Sequence, residues 1–324
     1  MEDHLRRFRV RLRQRVGRFY RTQETAFNRR FIARLREFTL KGKLLRGVLV
    51  MLGNEMEGGQ GGKSVLNAAA ALELTHSGLL IHDDIMDHDQ TRRGMPTIHR
   101  LWGEGLAIAW ADWLFYQAIG LLDNASGLPE LFSRAIQATA SGQIMDVYYG
   151  QAKTVPDQET ILEIYRQKTA RYSFSLPLQI GARLAHCSPT EENRLGQLGE
   201  CLGLIFQIRD DDIGLYADAE TSGKPIGSDI RENKKTLWRT WLYARSSPAE
   251  RARLDKVFGQ AKLRQKQITA VIDQIDKQGV RSRIEQTIDD LSGRAERIIN
   301  QLHCDRRYRH LLLELLVHHR RRQY

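Results

Sequence analysis

Apolar side chains recur at helical spacing along almost the whole chain, and the sequence lacks the sustained alternation that is typical of half-buried strands. Only 7 of the 324 residues are proline, so few positions force a helix to end. The hydrophobic fraction of 41% is large enough for a sizeable core. We therefore predict an all-α fold, with residues 1–324 forming a single domain built as a helical bundle.

Positive charge is concentrated at the start of the chain. Residues 1–46 hold 15 Lys and Arg against 4 Asp and Glu, whereas the rest of the chain holds 35 of each sign. Within residues 1–40 the apolar positions fall at helical spacing, which predicts a basic amphipathic helix. Those positions are Leu5, Phe8, Leu12, Val16 and Phe19.

Three uses of this basic helix are open. The first is that the helix packs on the bundle with a solvated arginine face. The second is a peripheral membrane contact with anionic lipid headgroups, and the third is binding of nucleic acid. No nucleic-acid recognition motif accompanies the charge, so we predict no nucleic-acid partner.

The cysteines and the N-terminus bear on the cellular location. Cys187, Cys201 and Cys304 lack metal-ligand spacing, and their odd number argues against a disulfide framework. The sequence has no run of about 18 apolar residues, so we predict no membrane span. A secretory signal would have an apolar run after its basic start, and no such run follows the arginine-rich start here. We expect a reducing, cytoplasmic setting.

The first of two acidic motifs occupies residues 82–89 and directly extends a strongly apolar helix. On a helix, Asp83 and Asp87 share one face, where like charges repel unless a cation lies between them. Mg²⁺ suits such a pair because carboxylates and substrate phosphates are its usual ligands. Arg92 and Arg93 follow, and guanidinium groups bind the remaining oxygens of a diphosphate.

The second acidic motif repeats this arrangement. An apolar helix over residues 203–209 runs into Asp210, Asp211 and Asp212. Basic residues follow again, including Lys224 and Lys234. One such cluster is also typical of a solvated helix end, but two of them predict a cavity in which both bind metal around one diphosphate.

With these two motifs the chain resembles the trans-isoprenyl diphosphate synthase family, also called the polyprenyl synthetases, which includes farnesyl and geranylgeranyl diphosphate synthases. The first aspartate-rich motif of that family matches residues 83–87, and its paired arginines match Arg92 and Arg93. Its early basic motif is similar to residues 41–47. Further matches are His76, Gly142, Gln143, Asp146, Lys168, Thr169, Phe206, Gln207, Asp210, Asp211, Lys224, Asp229 and Lys234.

The resemblance implies a role for each matching residue. The magnesium ligands would be Asp83, Asp87 and Asp210, with Asp84 and Asp211 assisting, and about three Mg²⁺ ions would bind with the diphosphate. The allylic diphosphate would be held by Arg92, Lys168 and Lys224. Isopentenyl diphosphate would be held by Lys43, Arg46, His76 and Arg93, while Lys234 adds to substrate binding and Thr169 and Gln207 lie near the reacting carbons. The implied fold is an isoprenoid synthase bundle with a central cavity, and the implied assembly is a homodimer.

Three positions depart from the family pattern. Leu44 replaces a basic residue of the early motif, and Gly47 replaces its proline. Gly214 replaces the last aspartate of the second acidic motif, which leaves Asp210 as the main ligand there.

The expected reaction is a Mg²⁺-dependent, head-to-tail condensation of isopentenyl diphosphate with an allylic diphosphate. In the family, side chains one turn before the first aspartate limit product length, and here those positions are Gly78 and Leu79. Gly78 is expected to leave the way open, so that Trp113, Phe115 or Tyr116 forms the next barrier, although core packing explains this aromatic trio equally well. A geranylgeranyl or longer product is therefore expected.

Two other functions remain as alternatives. A class I terpene cyclase shares the fold and also ionises an allylic diphosphate, but it needs no isopentenyl site. A non-catalytic subunit of a heteromeric prenyltransferase usually lacks one of the acidic motifs, whereas this chain has both.

Overall fold

The computed structural model describes residues 2–216, 226–260 and 262–321. Apart from a hairpin of two strands, β1 (Thr91–Arg92) and β2 (Met95–Pro96), its regular elements are helical. The α-helices are α1 (Glu2–Thr22), α2 (Arg29–Leu40), α3 (Leu45–Met56), α4 (Lys63–Met86), α5 (Ile98–Trp102), α6 (Glu104–Gly120), α7 (Leu128–Gln151), α8 (Gln158–Tyr165), α9 (Leu176–Leu184), α10 (Pro189–Tyr216), α11 (Ser228–Arg231), α12 (Leu237–Arg245), α13 (Pro248–Leu254), α14 (Gln265–Lys277), α15 (Val280–Gln301) and α16 (Arg306–Arg320). A 3₁₀ turn (Asn124–Ser126) precedes α7, and a π-helical segment (Arg166–Ser175) separates α8 from α9. The predicted all-α class is confirmed.

The described chain divides into two compact units. The first contains residues 2–134, 173–196 and 302–311, and the second contains the remaining described residues. The predictions of a single domain over 1–324 and of a central cavity stay predictions.

In the first unit, small residues let helix backbones approach one another closely. A side chain on Gly53 of α3 would lie 2.7 Å from the carbonyl oxygen of Leu178 on α9, and Gly181 of α9 is as tightly enclosed by α3. Residues 68–71 of α4 are alanines with no exposed surface. Close packing of this kind leaves little freedom for the polar groups that the same helices carry.

Helix α1 is amphipathic, as predicted. Phe8, Leu12, Val16 and Phe19 are buried against the first unit, whereas several of its arginines are exposed. The buried hydroxyl of Tyr20 also contacts Thr39 on α2 at 2.8 Å, which fixes how α1 lies on the unit.

Helix α4 is the one described helix that is long and apolar enough to cross a membrane, with a mean hydropathy of 1.2 over its best window. That window is 67% buried within the protein, as in the central helix of a globular core.

In the second unit, α12 is buried along most of its length. Trp238 and Trp241 are less than a tenth exposed, and each indole N–H donates to a side chain, Asp212 at 2.8 Å and Gln158 at 3.0 Å respectively. Arg239 is also buried and lies over the ring of Phe258. Through Trp238, this helix contacts Asp212 of the second acidic motif.

Candidate active site

The first acidic motif lies at the C-terminal end of α4 and carries its aspartates on different sides. Asp83 is half-buried and Asp87 is exposed, whereas Asp84 between them has no exposed surface. Because Asp83 and Asp87 are four residues apart on one helix, their carboxylates lie on the same outward face. The outward pair is available to a cation, while Asp84 belongs to the interior.

Asp84 and Arg92 join the end of α4 to the β-hairpin. Arg92 donates from Nε to Asp84 Oδ1 and from Nη2 to Asp89 Oδ2, the second at 2.9 Å. Burial raises the pKa of Asp84 to about 6, and Arg92 opposes that rise. Asp84 Oδ2 is buried and accepts no hydrogen bond from the described residues.

Beneath this motif, about three turns back along α4, lies the buried carboxylate of Glu73. It is 3% exposed and accepts a hydrogen bond from the backbone N–H of Gly47 at 2.8 Å. Burial raises the pKa of Glu73, and the nearby charges of Arg46 and Arg93 oppose the rise. Burial and the same two guanidinium groups lower the pKa of His76 well below its ordinary value, so its imidazole is neutral at pH 7.

Hydrogen bonds hold the two arginines of this group in place. Arg46 donates to Ser173 Oγ at 2.7 Å, and Arg93 donates to the carbonyl oxygen of Phe38 at 2.7 Å. We call Arg46, Glu73, His76 and Arg93 the Glu73 group. The structure thus brings together three of the four residues that the resemblance assigns to isopentenyl diphosphate.

The fourth, Lys43, is exposed on the loop before α3. Its carbonyl oxygen accepts from Arg9 of α1 at 3.1 Å. The next residue, Leu44, is 2% exposed and has a φ of 54°, a left-handed conformation that side chains rarely adopt. Such strain persists where surrounding packing enforces it, and it occurs often at functional sites.

The two departures in the early motif have structural explanations. Leu44 fills an apolar position, which a basic side chain could not do without a partner. Gly47 supplies the N–H that Glu73 needs, and proline has none. A side chain at Gly47 would also lie 2.9 Å from the carbonyl oxygen of Ala69 on α4.

The expectation that Gly78 leaves space open is wrong. A side chain there would lie 2.7 Å from Phe115 and 3.0 Å from the carbonyl oxygen of Ala111, because α6 packs directly on α4. The Phe115 ring also packs edge-on against His82, at 5.5 Å between ring centres. Phe115 therefore occupies the position next to Gly78, and Leu79 is half-buried beside it.

Trp113 and Tyr116 lie elsewhere on α6. Trp113 packs in an aromatic group with Phe19 and Trp110, as the core interpretation predicted. Tyr116 is 70% exposed. These contacts favour Phe115 over both residues as the barrier near the first acidic motif.

The second acidic motif, on α10, shows the same division of roles. Asp210 is exposed, whereas Asp211 is buried and accepts hydrogen bonds from Tyr165 Oη and from Gln207 Nε2, the latter at 3.0 Å. Burial raises the pKa of Asp211 well above its ordinary value, and nearby Asp229 adds to the rise. Asp212 accepts from Trp238 and from Arg209 at 2.7–2.8 Å. Only the first aspartate of this motif faces outward.

A hydrogen-bonded chain fixes the groups around Asp211. The backbone N–H of Leu237 donates to Tyr165 Oη at 3.1 Å, and the tyrosine donates in turn to Asp211. On the other side, Thr169 Oγ1 donates to Gln207 Oε1 at 2.8 Å. The Gln207 amide is therefore engaged at both its oxygen and its nitrogen.

Lys168 and Thr169 lie in the π-helical segment, a rare conformation that occurs often at functional sites. Lys168 Nζ pairs with Asp146 Oδ2 at 2.6 Å. Gly142 of α7 packs so closely on the backbone of Lys168 that a side chain would not fit. The resemblance matched Gly142 and Asp146, and both support Lys168.

Two predicted basic residues remain. Lys234 is about 40% exposed at its side chain and forms an ion pair with Glu232 at 3.3 Å. Lys224 lies outside the described residues, so its predicted role stays a prediction.

Sequence reasoning missed three supporting residues. Glu73 is the one carboxylate within the apolar run of α4, and that position alone could have identified it. Nothing in the sequence pattern around Tyr165 indicates that it contacts the second acidic motif. Arg209 precedes the second motif and bonds to Asp212, to both carboxylate oxygens of Glu285 and to the carbonyl oxygen of Arg320, which ties α10 to α15 and α16.

The described donors fit Mg²⁺ that is bound together with phosphate. Within residues 2–216, 226–260 and 262–321, no three His, Cys, Asp or Glu side chains form a complete metal site. Mg²⁺ commonly takes only one or two carboxylates and completes its shell with water and substrate phosphates. Outward Asp83, Asp87 and Asp210 provide donors of that kind.

The family profile of the polyprenyl synthetases matches residues 31–275 of the chain. The chain is 37% identical over 228 residues to the short chain isoprenyl diphosphate synthase of Methanothermobacter thermautotrophicus, an alignment that covers 68% of this chain and 69% of that protein. It is 39% identical over 209 residues to the geranylgeranyl diphosphate synthase of Sulfolobus acidocaldarius, and this alignment covers 62% of this chain and 62% of that protein. The chain thus aligns with about two thirds of the length of these relatives.

Solved structures are similar over nearly the whole chain. The geranylgeranyl pyrophosphate synthase of Corynebacterium glutamicum, crystallised with isoprenyl diphosphate and magnesium, has a TM-score of 0.89 at 28% identity, covering 97% of this chain and 98% of that one. The geranylgeranyl pyrophosphate synthetase of Pyrococcus horikoshii has a TM-score of 0.87 at 27% identity, covering 99% of both chains.

The Glu73 group predicts a measurable effect on stability. Glu73→Ala should lower the free energy of unfolding in urea by about 2–4 kcal/mol, because it removes a buried carboxylate whose charge balances two half-buried guanidinium groups. Glu73→Gln should cost about 1 kcal/mol, since the amide still accepts from the Gly47 N–H.

The matched control is Glu37→Ala on α2, whose carboxylate is half exposed in its ion pair with Arg34. It should change the free energy of unfolding by less than about 0.5 kcal/mol. An equal, small loss for Glu73→Ala and Glu37→Ala would contradict a structural role of Glu73.

Proposed function

The chain belongs to the polyprenyl synthetase family, as its motifs predicted, and we propose that it joins isopentenyl diphosphate head to tail to an allylic diphosphate. The product would be a longer, all-trans prenyl diphosphate. The observation that carries this proposal is the Glu73 group, a cationic site with a neutral histidine next to the aspartates of the first motif.

This group favours chain elongation over the two alternatives. A terpene cyclase ionises a single allylic substrate and has no use for a second site that binds an anionic diphosphate. A non-catalytic subunit would not need the outward carboxylates of both motifs, and here Asp83, Asp87 and Asp210 all remain accessible.

Charge neutralisation is the first requirement of the reaction. Asp83, Asp87 and Asp210 would hold Mg²⁺, which when bound neutralises the diphosphate as the allylic C–O bond breaks. Lys168, fixed by Asp146, and Arg92, fixed by Asp84 and Asp89, supply positive charge from the protein.

The allylic cation is then attacked by the double bond of isopentenyl diphosphate, which forms the new C–C bond and leaves a proton to be lost. Gln207 is bonded at both ends of its amide, and the Thr169 hydroxyl donates its proton to Gln207, so neither is a strong base. We assign the proton to the released diphosphate, the strongest base next to the reacting carbons. The protein's task is mainly to position two anionic substrates.

We also propose a homodimer in a reducing, cytoplasmic setting. An outward row of apolar side chains on α6 supports the dimer, because Ile108, Tyr116 and Ile119 are 44–70% exposed. The free thiols of Cys187, Cys201 and Cys304 are consistent with the setting.

Product analysis tests the proposed reaction. The purified chain, Mg²⁺ and labelled isopentenyl diphosphate should convert dimethylallyl, geranyl or farnesyl diphosphate into longer linear diphosphates. Release of diphosphate from the allylic substrate alone, with a cyclic hydrocarbon as product, would indicate a cyclase. No reaction with any of the three starters would indicate a non-catalytic subunit.

We further propose that Phe115 limits the product at a geranylgeranyl or longer chain. Phe115→Ala should remove the barrier beside Gly78 and lengthen the main product by one or more five-carbon units, as measured by chromatography of the dephosphorylated alcohols. The variant is also expected to lose about 3 kcal/mol of stability, so the assay is run well below its unfolding temperature.

The control is Tyr116→Ala, one residue further along the same helix and on its exposed side. It should leave the product length unchanged. A longer product from Tyr116→Ala, with none from Phe115→Ala, would assign the barrier to Tyr116 instead.

A further inference from the structure

The arginines of α1 divide into two sets with different surroundings. One set faces the protein, where Arg9 and Arg13 donate to the carbonyl oxygens of Lys43 and Gly42, and Arg15 donates to Asn67. Arg9 and Arg13 thus brace the loop that carries Lys43, and Arg15 connects α1 to α4.

The other set faces outward in a line. Arg7, Arg11 and Arg18, with Gln14 between them, follow one another at steps of three or four residues and therefore share one face of the helix. All four side chains are exposed. Arg7 and Arg18 lie on one helix with about three turns between them, so the row extends for about 17 Å.

The start of α16 adds to this face from the other end of the chain. His4 packs edge-on against Phe8 and Tyr308, with ring centres 5.0 and 6.0 Å apart. The guanidinium of Arg307 lies over the Tyr308 ring at 4.5 Å, and both Arg7 and Arg307 are close enough to His4 to lower its pKa, after the larger effect of burial.

We call Arg7, Arg11, Arg18 and Arg307 the outward arginine surface. Among the side chains that the structure describes, its acidic neighbours include Glu55, which accepts from Tyr308 Oη at 2.7 Å, and Asp305, which caps α16. The joining of two distant chain segments is a feature that the sequence did not reveal.

From this arrangement we propose that the outward arginine surface docks the protein on a bilayer that contains anionic lipids. Guanidinium groups bind phosphate oxygens in pairs, and a straight row of them matches a flat layer of headgroups. Val10, 49% exposed within the row, adds an apolar contact at the level of the headgroups.

Two observations favour a bilayer over the other partners that a basic surface attracts. Single-stranded nucleic acid is bound by exposed aromatic side chains between the basic ones, but Tyr308, the aromatic residue of this surface, is 3% exposed. Residues 47–324 carry equal numbers of basic and acidic residues, so the excess charge is local to the start of the chain.

The surface also lies outside the segment that defines the family. The family profile covers residues 31–275, which excludes α1 and α16. The proposal therefore goes beyond the proposed reaction, and it can be tested without any substrate.

The test is flotation of the full chain with vesicles of phosphatidylcholine alone or with about 30% phosphatidylglycerol, at low and physiological salt. The protein should bind only the anionic vesicles and more weakly at high salt. Each arginine near an anionic surface contributes about fivefold, so Arg7→Gln, Arg11→Gln and Arg307→Gln together should weaken binding about 100-fold.

The control carries the same loss of charge elsewhere, through Arg253→Gln, Arg294→Gln and Arg297→Gln, all exposed residues of the second unit. It should bind the anionic vesicles like the wild type. An equal loss of vesicle binding in both triple variants would show that binding depends only on the net charge of the protein, and it would overturn the proposal.

Two further experiments distinguish a bilayer from other ligands of a basic surface. Inorganic diphosphate at millimolar concentration should not displace the protein from vesicles, and displacement would identify a site for a small anion instead. The second experiment measures binding of a homopolymeric RNA. If the RNA binds as tightly as the anionic vesicles, and if the Arg7, Arg11 and Arg307 triple variant loses that binding, the surface is a nucleic-acid site instead.

Discussion

Like-charged carboxylates repel one another, and two helices of this protein nevertheless carry aspartate clusters near their C-terminal ends. In each cluster the aspartates divide into an outward set, Asp83 and Asp87 or Asp210, and an inward one, Asp84 or Asp211. The inward carboxylate accepts hydrogen bonds from nearby side chains, from Arg92 at one oxygen of Asp84 and from Tyr165 and Gln207 at Asp211. Without those donors a buried carboxylate would be unstable at that position.

The tight packing around each cluster follows from this requirement. Arg92 lies on β1 just before the hairpin turn, and the next residue, Arg93, has a positive φ and donates to the carbonyl oxygen of Phe38 on α2. Glu73 balances Arg46 and Arg93 beneath the first cluster, and Gly47 must be a residue with a free backbone N–H. In the second unit, Tyr165 is fixed by the start of α12. The outward carboxylates are thus held rigidly, as a site that must position two anionic substrates requires.

Much of this could be predicted from sequence, because helical periodicity and the spacing of aspartates are local properties. The all-α class, the basic amphipathic helix and the positions of both acidic motifs follow from such patterns. The filling of the space beside Gly78 by Phe115, the burial of Asp211 under Tyr165 and the meeting of α1 with Tyr308 depend on contacts between distant segments. Glu73 lies between these cases, since a carboxylate inside an apolar run is visible in the sequence but its partners are not.

The measurement that most directly tests this account is calorimetric titration of Mg²⁺ into the protein with and without inorganic diphosphate. We predict tight binding only when diphosphate is present, weakened at least about tenfold by Asp87→Asn and by Asp210→Asn. Asp212→Asn, at a carboxylate held by Arg209 and Trp238, should bind Mg²⁺ like the wild type. Tight Mg²⁺ binding without diphosphate, or unchanged binding in both Asp87→Asn and Asp210→Asn, would contradict the assignment of the outward carboxylates as the metal ligands.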